Sequence, residues 1–127
     1  MQKQIEAVKE FHITYKLDYS ENPTAHLGES KHLLRYNLMK EENEEYLEAV
    51  KNNDLTEIAD ALGDMMYILC GTILEHGLQH KMEEVFAEIQ RSNMSKLGED
   101  GKPIYREDGK VMKGPHYSKP DFSEILK

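Results

Sequence analysis

Two consecutive segments decide the fold, Leu38-Met-Lys-Glu-Glu-Asn-Glu-Glu-Tyr-Leu-Glu48 and, after an Asn/Asp-rich break, Glu57-Ile-Ala-Asp-Ala-Leu-Gly-Asp-Met-Met-Tyr67. Eight carboxylates lie on the two helices that these segments predict. Side chains spaced by three or four residues share one face of a helix, and both acidic sets follow that spacing. If the helices pack antiparallel across the short break, the two acidic faces meet. Only cations make such an arrangement tolerable.

The rest of the chain predicts further helices around this pair. Apolar residues recur at helical spacing in residues 2–17, 30–51, 55–76 and 80–93. Asp54 with Glu57 predicts a capped start for the third helix, and Gly77 predicts its end. Apolar side chains cover most of this helix's circumference, so we expect it to be central. The expected fold is all-α, a bundle of four to five helices.

Two features refine this expectation. Gly63 and Gly71 inside the third helix predict close backbone approach by a neighbouring helix, because glycine is otherwise costly there; the alternative is that the helix simply tolerates them. Beyond the fourth helix, Asp108-Gly109 between short alternating runs predicts a small β-hairpin, and two prolines predict an extended C-terminal arm. We assign residues 1–97 to the helical domain and residues 98–127 to the hairpin and tail of the same domain.

Charge and composition exclude several classes of protein. The net charge is −8, and an acidic body is followed by a basic tail, since residues 1–90 carry 8 Lys/Arg and 18 Asp/Glu whereas residues 91–119 carry 7 and 4. An acidic chain is a poor nucleic-acid binder, so we expect no nucleic-acid partner. No apolar run is long enough for a membrane span, and the single Cys70 is typical of a reducing compartment. We expect a cytoplasmic protein without a membrane partner.

The third helix carries the argument for metal. A glutamate run by itself is typical of a solvated helix face. Asp60 and Asp64, however, lie in the most apolar helix of the chain, where aspartate is a poor helix former. Buried carboxylates need partners, and the neighbouring helix supplies mostly further carboxylates. All-oxygen ligation suits Mg²⁺ or Mn²⁺, which complete their coordination with water and substrate phosphates.

A family resemblance rests on these motifs. Glu41-Glu42-x-x-Glu45 followed by Glu57-x-x-Asp60 resembles the paired acidic motifs of the MazG-like all-α nucleoside triphosphate pyrophosphatases. The tail looks like the C-terminal extension of the branch similar to phosphoribosyl-ATP pyrophosphohydrolase, in Arg91–Leu97, Gly101–Tyr105 and Lys113–Pro115. The resemblance implies a four-to-five-helix bundle of the all-α NTP pyrophosphatase type. It also implies an enzyme that cleaves a nucleoside triphosphate, or a related phosphorylated nucleotide, to the monophosphate and pyrophosphate, with house-cleaning as one use.

The resemblance also implies roles for individual residues. Mg²⁺, or Mn²⁺ in its place, would be held by Glu42, Glu45 and Asp60, with Glu57 or Asp64 completing the set. Glu41 is the candidate catalytic residue that orients or deprotonates the attacking water. The candidate substrate ligands in the tail are Arg91, Ser92, Asn93, Lys96 and Lys113. Relatives assemble as dimers or tetramers, so we expect a homodimer or homotetramer that binds a nucleotide substrate.

The register of the second acidic motif remains open. In many relatives the aspartate of this motif precedes an apolar-aromatic run and follows a glutamate by three positions, but Ala61 stands three residues before Asp64. The ligand that joins Asp60 is therefore either Glu57 or Asp64.

Two other classes of protein also compete with this interpretation. A di-metal carboxylate bundle with other chemistry needs two Glu-x-x-His motifs, and only Glu29-x-x-His32 is present. A non-catalytic dimeric interaction module explains the apolar third helix but leaves its aspartates without a role.

Overall fold

A computed structural model describes residues 1–127 and contains four α-helices and no strand. The helices are α1 (Gln2–Thr14), α2 (Glu29–Lys51), α3 (Leu55–Glu75) and α4 (Met82–Met94). The all-α prediction is therefore confirmed. The chain divides into two compact units, Met1–His80 and Lys81–Lys127. The division of the domain at residue 97 stays a prediction. None of the helices has an apolar stretch long enough to cross a membrane.

The helices α2 and α3 form an antiparallel pair in the first unit. The side chain of Arg35, near the start of α2, reaches the backbone of Ile68 in the second half of α3. The connection is short, and Asn53 makes its turn with a φ of 51°. Asp54 Oδ1 accepts a hydrogen bond from the Glu57 N–H at 3.1 Å, which confirms Asp54 as the N-cap of α3.

The core of the first unit lies where α3 meets α1 and α2. Its buried apolar side chains are Ile5 and Val8 of α1, Ala49 of α2, and Ala61, Cys70, Ile73 and Leu74 of α3. The central position of α3 is confirmed for its second half. Its first half leaves apolar side chains in water, and Leu55 is 78% exposed. Part of the apolar surface of α3 therefore stays exposed in the single chain.

The glycines of α3 differ from the prediction. A Cβ on Gly63 would meet nothing within 4 Å, so no neighbouring backbone approaches it. At Gly71 the close neighbours are side chains, Arg35 Nη2 at 2.6 Å and His12 Nε2 at 3.1 Å from a Cβ position. The predicted backbone approach is thus wrong, because the space at Gly71 is filled by polar side chains. Gly77 ends α3 as predicted, with a φ of 66°.

The predicted C-terminal β-hairpin is not formed. Its Asp-Gly turn is present, because the Gly109 N–H donates to Arg106 O at 2.9 Å. Pairing stops at one isolated antiparallel bridge between Tyr105 and Val111. Every residue from 101 to 113 is exposed, so no buried face extends the pairing into strands.

The C-terminal arm instead binds to α4 within the second unit. Asp121 N–H donates to Glu88 Oε1 at 3.0 Å, and Arg91 Nη2 donates to Lys119 O at 3.2 Å. The Ser118 N–H donates to Ser95 Oγ at 2.9 Å. Backbone groups of the arm therefore find their partners on and just after α4, in place of a sheet.

Candidate metal and nucleotide site

Four acidic side chains of α2 and α3 lie near the short connection between the helices, close enough for their charges to act on one another. Glu42 and Glu45 lie in the second half of α2, and Asp60 and Asp64 lie in the first half of α3. The antiparallel pairing sets these turns opposite each other. Glu42 is partly buried, whereas the other three carboxylates are exposed. The acidic cluster, as we name these four residues, therefore has Glu42 as its inner member.

The environment of Glu42 disfavours its negative charge. Burial raises the pKa of Glu42 from 4.5 to about 7, with further contributions from a hydrogen bond to Glu45 and from the charges of Glu45, Asp64 and Asp60. Its Oε2 atom is also buried without a hydrogen-bond partner. A buried acceptor among carboxylates has no donor to satisfy it except a proton or a cation.

This raised pKa makes a prediction for the metal-free protein. Between pH 4.5 and about 7 the folded protein keeps a proton on Glu42 that the unfolded chain releases, so its free energy of unfolding falls as pH rises through this window. Glu42→Gln removes that loss. The variant should have a higher melting temperature than the wild type at about pH 8 and a similar melting temperature at about pH 4. An equal difference at both pH values, by differential scanning calorimetry, would contradict the assignment.

The donor set fits an oxygen-ligated divalent cation. All four members are carboxylates, which suits Mg²⁺ or Mn²⁺, and Glu42 Oε2 is an oxygen without a hydrogen-bond partner that a cation could satisfy. No group of three or more His, Cys, Asp or Glu side chains is arranged to hold a metal ion. Like charges repel, and the exposed members keep their rotamer freedom. Bringing these carboxylates together at one point would require a cation to offset the repulsion.

The two remaining acidic candidates stand apart from Glu42. Glu41 is exposed on α2, one residue before Glu42. Glu57 lies in the first turn of α3, where its backbone N–H is bound by the cap. Neither is among the charges that act on Glu42, whereas Asp60 and Asp64 both are. Asp60 and Asp64, unlike Glu57, therefore lie close enough for their charges to raise the pKa of Glu42.

A pocket of about 390 Å³ lies between α1, α2 and α3. Its walls are mostly apolar and include Phe11, Leu38 and Tyr67. The rings of Phe11 and Tyr67 meet edge to face, with centroids 5.5 Å apart. Helical spacing places Leu38 beside Glu42 and Tyr67 beside Asp64, so the pocket adjoins the acidic cluster.

A polar network that the sequence did not reveal lines this pocket. Arg35 Nη2 donates to Ile68 O at 2.7 Å, Arg35 Nε donates to Thr72 Oγ1 at 3.0 Å, and Nε lies 3.1 Å from Glu75 Oε2. The Arg35 and Glu75 side chains are only 12% and 10% exposed. The sequence signal for this network was a single arginine among the apolar positions of α2. That signal is weak because the partners of the arginine lie on another helix.

Comparison with protein families adds an independent finding. Residues 8–93 match the model of the phosphoribosyl-ATP pyrophosphohydrolase family. The chain belongs to the phosphoribosyl-ATP pyrophosphohydrolase family. This family is a member of the MazG-like all-α NTP pyrophosphatase superfamily, which confirms the resemblance drawn from the acidic motifs. No curated protein matches the chain.

Membership of the phosphoribosyl-ATP pyrophosphohydrolase family supports a pyrophosphohydrolase-type activity. The matched residues include both acidic motifs and every residue that lines the pocket. The match ends within α4, so it includes Arg91, Ser92 and Asn93 but none of the residues after them.

The predicted substrate ligands all lie in the unit Lys81–Lys127. Arg91 is held by Glu88 Oε1 at 2.8 Å, and Ser92 is buried. Asn93 is exposed at the end of the stretch that matches the phosphoribosyl-ATP pyrophosphohydrolase family. Lys96 O accepts from Gly114 N–H at 2.8 Å, and Lys113 Nζ lies 4.8 Å from the Tyr117 ring centroid.

Proposed function

We propose that the chain is a Mg²⁺-dependent pyrophosphohydrolase that cleaves a nucleoside triphosphate, or a related phosphorylated nucleotide, to the monophosphate and pyrophosphate. One observation carries the proposal. In a chain of a pyrophosphohydrolase family, Glu42 Oε2 is buried without a partner among Glu45, Asp60 and Asp64. This arrangement suits Mg²⁺, with Mn²⁺ as a substitute, because the ion would offset the repulsion and satisfy the free oxygen.

The chemistry needs little from the protein beyond placement. Bound divalent ions neutralise phosphate oxygens and orient an attacking water. Glu42, Glu45 and Asp60, with Asp64 or Glu57, are our proposed ligands. Glu41 is the proposed residue that orients or deprotonates the water, since it lies one residue from Glu42 and is exposed to solvent.

The pocket beside the acidic cluster is the proposed place for the nucleoside part of the substrate. Its apolar and aromatic walls suit a base or sugar, and its position one helical turn from the cluster suits phosphates held at the carboxylates. In the unit Lys81–Lys127, the proposed ligands for phosphate or sugar are Arg91, Asn93, Lys96 and Lys113. Ser92 is buried, so it is not retained as a proposed ligand.

A second copy of the chain is the proposed macromolecular partner. The helix α3 is the most apolar of the chain, yet Leu62, Met66 and Leu69 are between 42% and 47% exposed. Contiguous apolar side chains on a core helix mark a contact surface, and a second α3 would cover them without burying charge. Light scattering should give at least twice the monomer mass. A monomer mass at high protein concentration would contradict this.

A pyrophosphate-release assay tests the activity. The purified chain, incubated with ribo- and deoxynucleoside triphosphates and Mg²⁺, should release pyrophosphate and the monophosphate, and EDTA should stop the release. Pyrophosphate and inorganic phosphate are measured separately. Release of single phosphates would point to another phosphohydrolase chemistry, and release that survives EDTA would remove the metal from the proposal.

A further inference from the structure

We propose that Arg35 is a positioning residue that fixes the register of α2 against α3, so that Glu42 and Glu45 face Asp60 and Asp64. We further infer that Gly71 is a glycine because the Arg35 guanidinium occupies the space of a Cβ. The inference rests on the proposed metal-dependent function, and it concerns residues that neither touch the cluster nor belong to either acidic motif.

Helical spacing puts Arg35 in line with the acidic cluster. Arg35 precedes Glu42 by seven residues, which is close to two helical turns and therefore the same face of α2. On α3, Ile68 follows Asp64 by four residues and Asp60 by eight. The Arg35–Ile68 contact thus lies on the same seam of the helix pair as the cluster.

The contacts of Arg35 are directional. Its guanidinium donates to a backbone oxygen and to a hydroxyl of α3, and it pairs with the carboxylate of Glu75. These three points span two turns of α3, from Ile68 to Glu75, so they oppose both sliding and rotation of α2. Apolar side chains alone pack in several registers, whereas buried polar contacts can select one.

Gly71 makes this contact possible. A Cβ there would lie 2.6 Å from Arg35 Nη2, too close for both atoms to stay. The guanidinium is the end of a flexible side chain, so Gly71→Ala would displace it and break its bond to Ile68 O. Gly63 lies in the same helix with open space around it, and Gly63→Ala is therefore a matched control.

The two alanine variants have opposite expected outcomes. Alanine is a better helix former than glycine, so Gly63→Ala should raise the melting temperature and leave Mg²⁺ affinity unchanged. Gly71→Ala should weaken Mg²⁺ binding about tenfold to 100-fold, as loss of groups that orient metal ligands does. Isothermal titration calorimetry of the full chain with Mg²⁺ alone, without nucleotide, measures the affinity.

A charge-conserving variant separates register from stability. Arg35→Lys keeps the positive charge beside Glu75 but lacks the guanidinium fork, so it should melt near the wild type while binding Mg²⁺ about tenfold more weakly. If Gly71→Ala fails to fold, the Mg²⁺ affinity of Arg35→Lys still tests the positioning role.

The possible results are distinct. Wild-type Mg²⁺ affinity in Arg35→Lys, or in a folded Gly71→Ala, would overturn the positioning role and leave the proposed function standing. A wild-type chain that binds no Mg²⁺ would overturn the metal site itself, and the positioning role with it.

Discussion

The Asp60→Asn variant should release pyrophosphate at least about 100-fold more slowly than the wild type while remaining folded. Asparagine has the shape of aspartate but lacks the charge that a divalent ion requires. Asp60 belongs to both proposed ligand registers, and its charge helps to raise the pKa of Glu42. Because Asp60 is exposed, the substitution should cost little stability. Initial rates at saturating Mg²⁺, with melting curves of both proteins, measure the two effects.

The matched control for this experiment is Glu44→Gln. Glu44 is an exposed carboxylate of α2 that is not among the charges acting on Glu42, so the control removes one charge nearby without touching the cluster. It should retain the wild-type rate. An active Asp60→Asn would refute the metal assignment. A comparison of Asp64→Asn with Glu57→Gln then decides the register, and we expect the larger loss for Asp64→Asn.

The Arg35→Met variant should lower the free energy of unfolding by about 3–5 kcal/mol. Methionine keeps the apolar stem but leaves the carboxylate of Glu75, only 10% exposed, without its positive partner. Thr72 Oγ1 would also lose its donor. A buried charge without compensation is among the largest single-residue costs in a folded protein. Urea unfolding followed by circular dichroism measures the change.

An exposed ion pair provides the comparison. Lys9 pairs with Glu21 at 3.3 Å on the surface of the same unit, and Lys9→Met should cost less than about 1 kcal/mol. The double variant Arg35→Met/Glu75→Leu should recover much of the loss, because it removes the unpaired charge together with its partner. A small cost for Arg35→Met, comparable to that of Lys9→Met, would show that the network contributes no more than a surface pair.

Local signals predicted the helical elements well. The Asp54 cap and the Gly77 end of α3 depend on backbone groups within a few residues, and both are present. The C-terminal hairpin had an equally clear local signal, and its turn at Gly109 does form. A turn by itself gives no buried face, so strands did not follow. Helix ends and turns form from hydrogen bonds between residues close in the sequence, whereas strands also need a surface from a distant part of the chain to pack against.

The candidate site shows the same division. The spacing of the acidic residues predicted that carboxylates of two helices would lie near each other, and the charges of Glu45, Asp60 and Asp64 do act on the pKa of Glu42. Spacing did not distinguish Glu42 from Glu41, since adjacent residues on a helix differ by about 100° in direction. The rotation of α2 about its axis decides which carboxylate faces α3, and that rotation depends on packing between the helices.

By itself, then, the sequence determined the all-α class, the ends of α3 and the acidic character of the helix pair, because caps and helical periodicity act within a few residues. Only the tertiary structure decided that Glu42 is the inner carboxylate, that Gly71 leaves room for Arg35, and that the C-terminal arm binds α4. Burial, charge proximity and close approach arise between residues far apart in the chain, and no local pattern contains them.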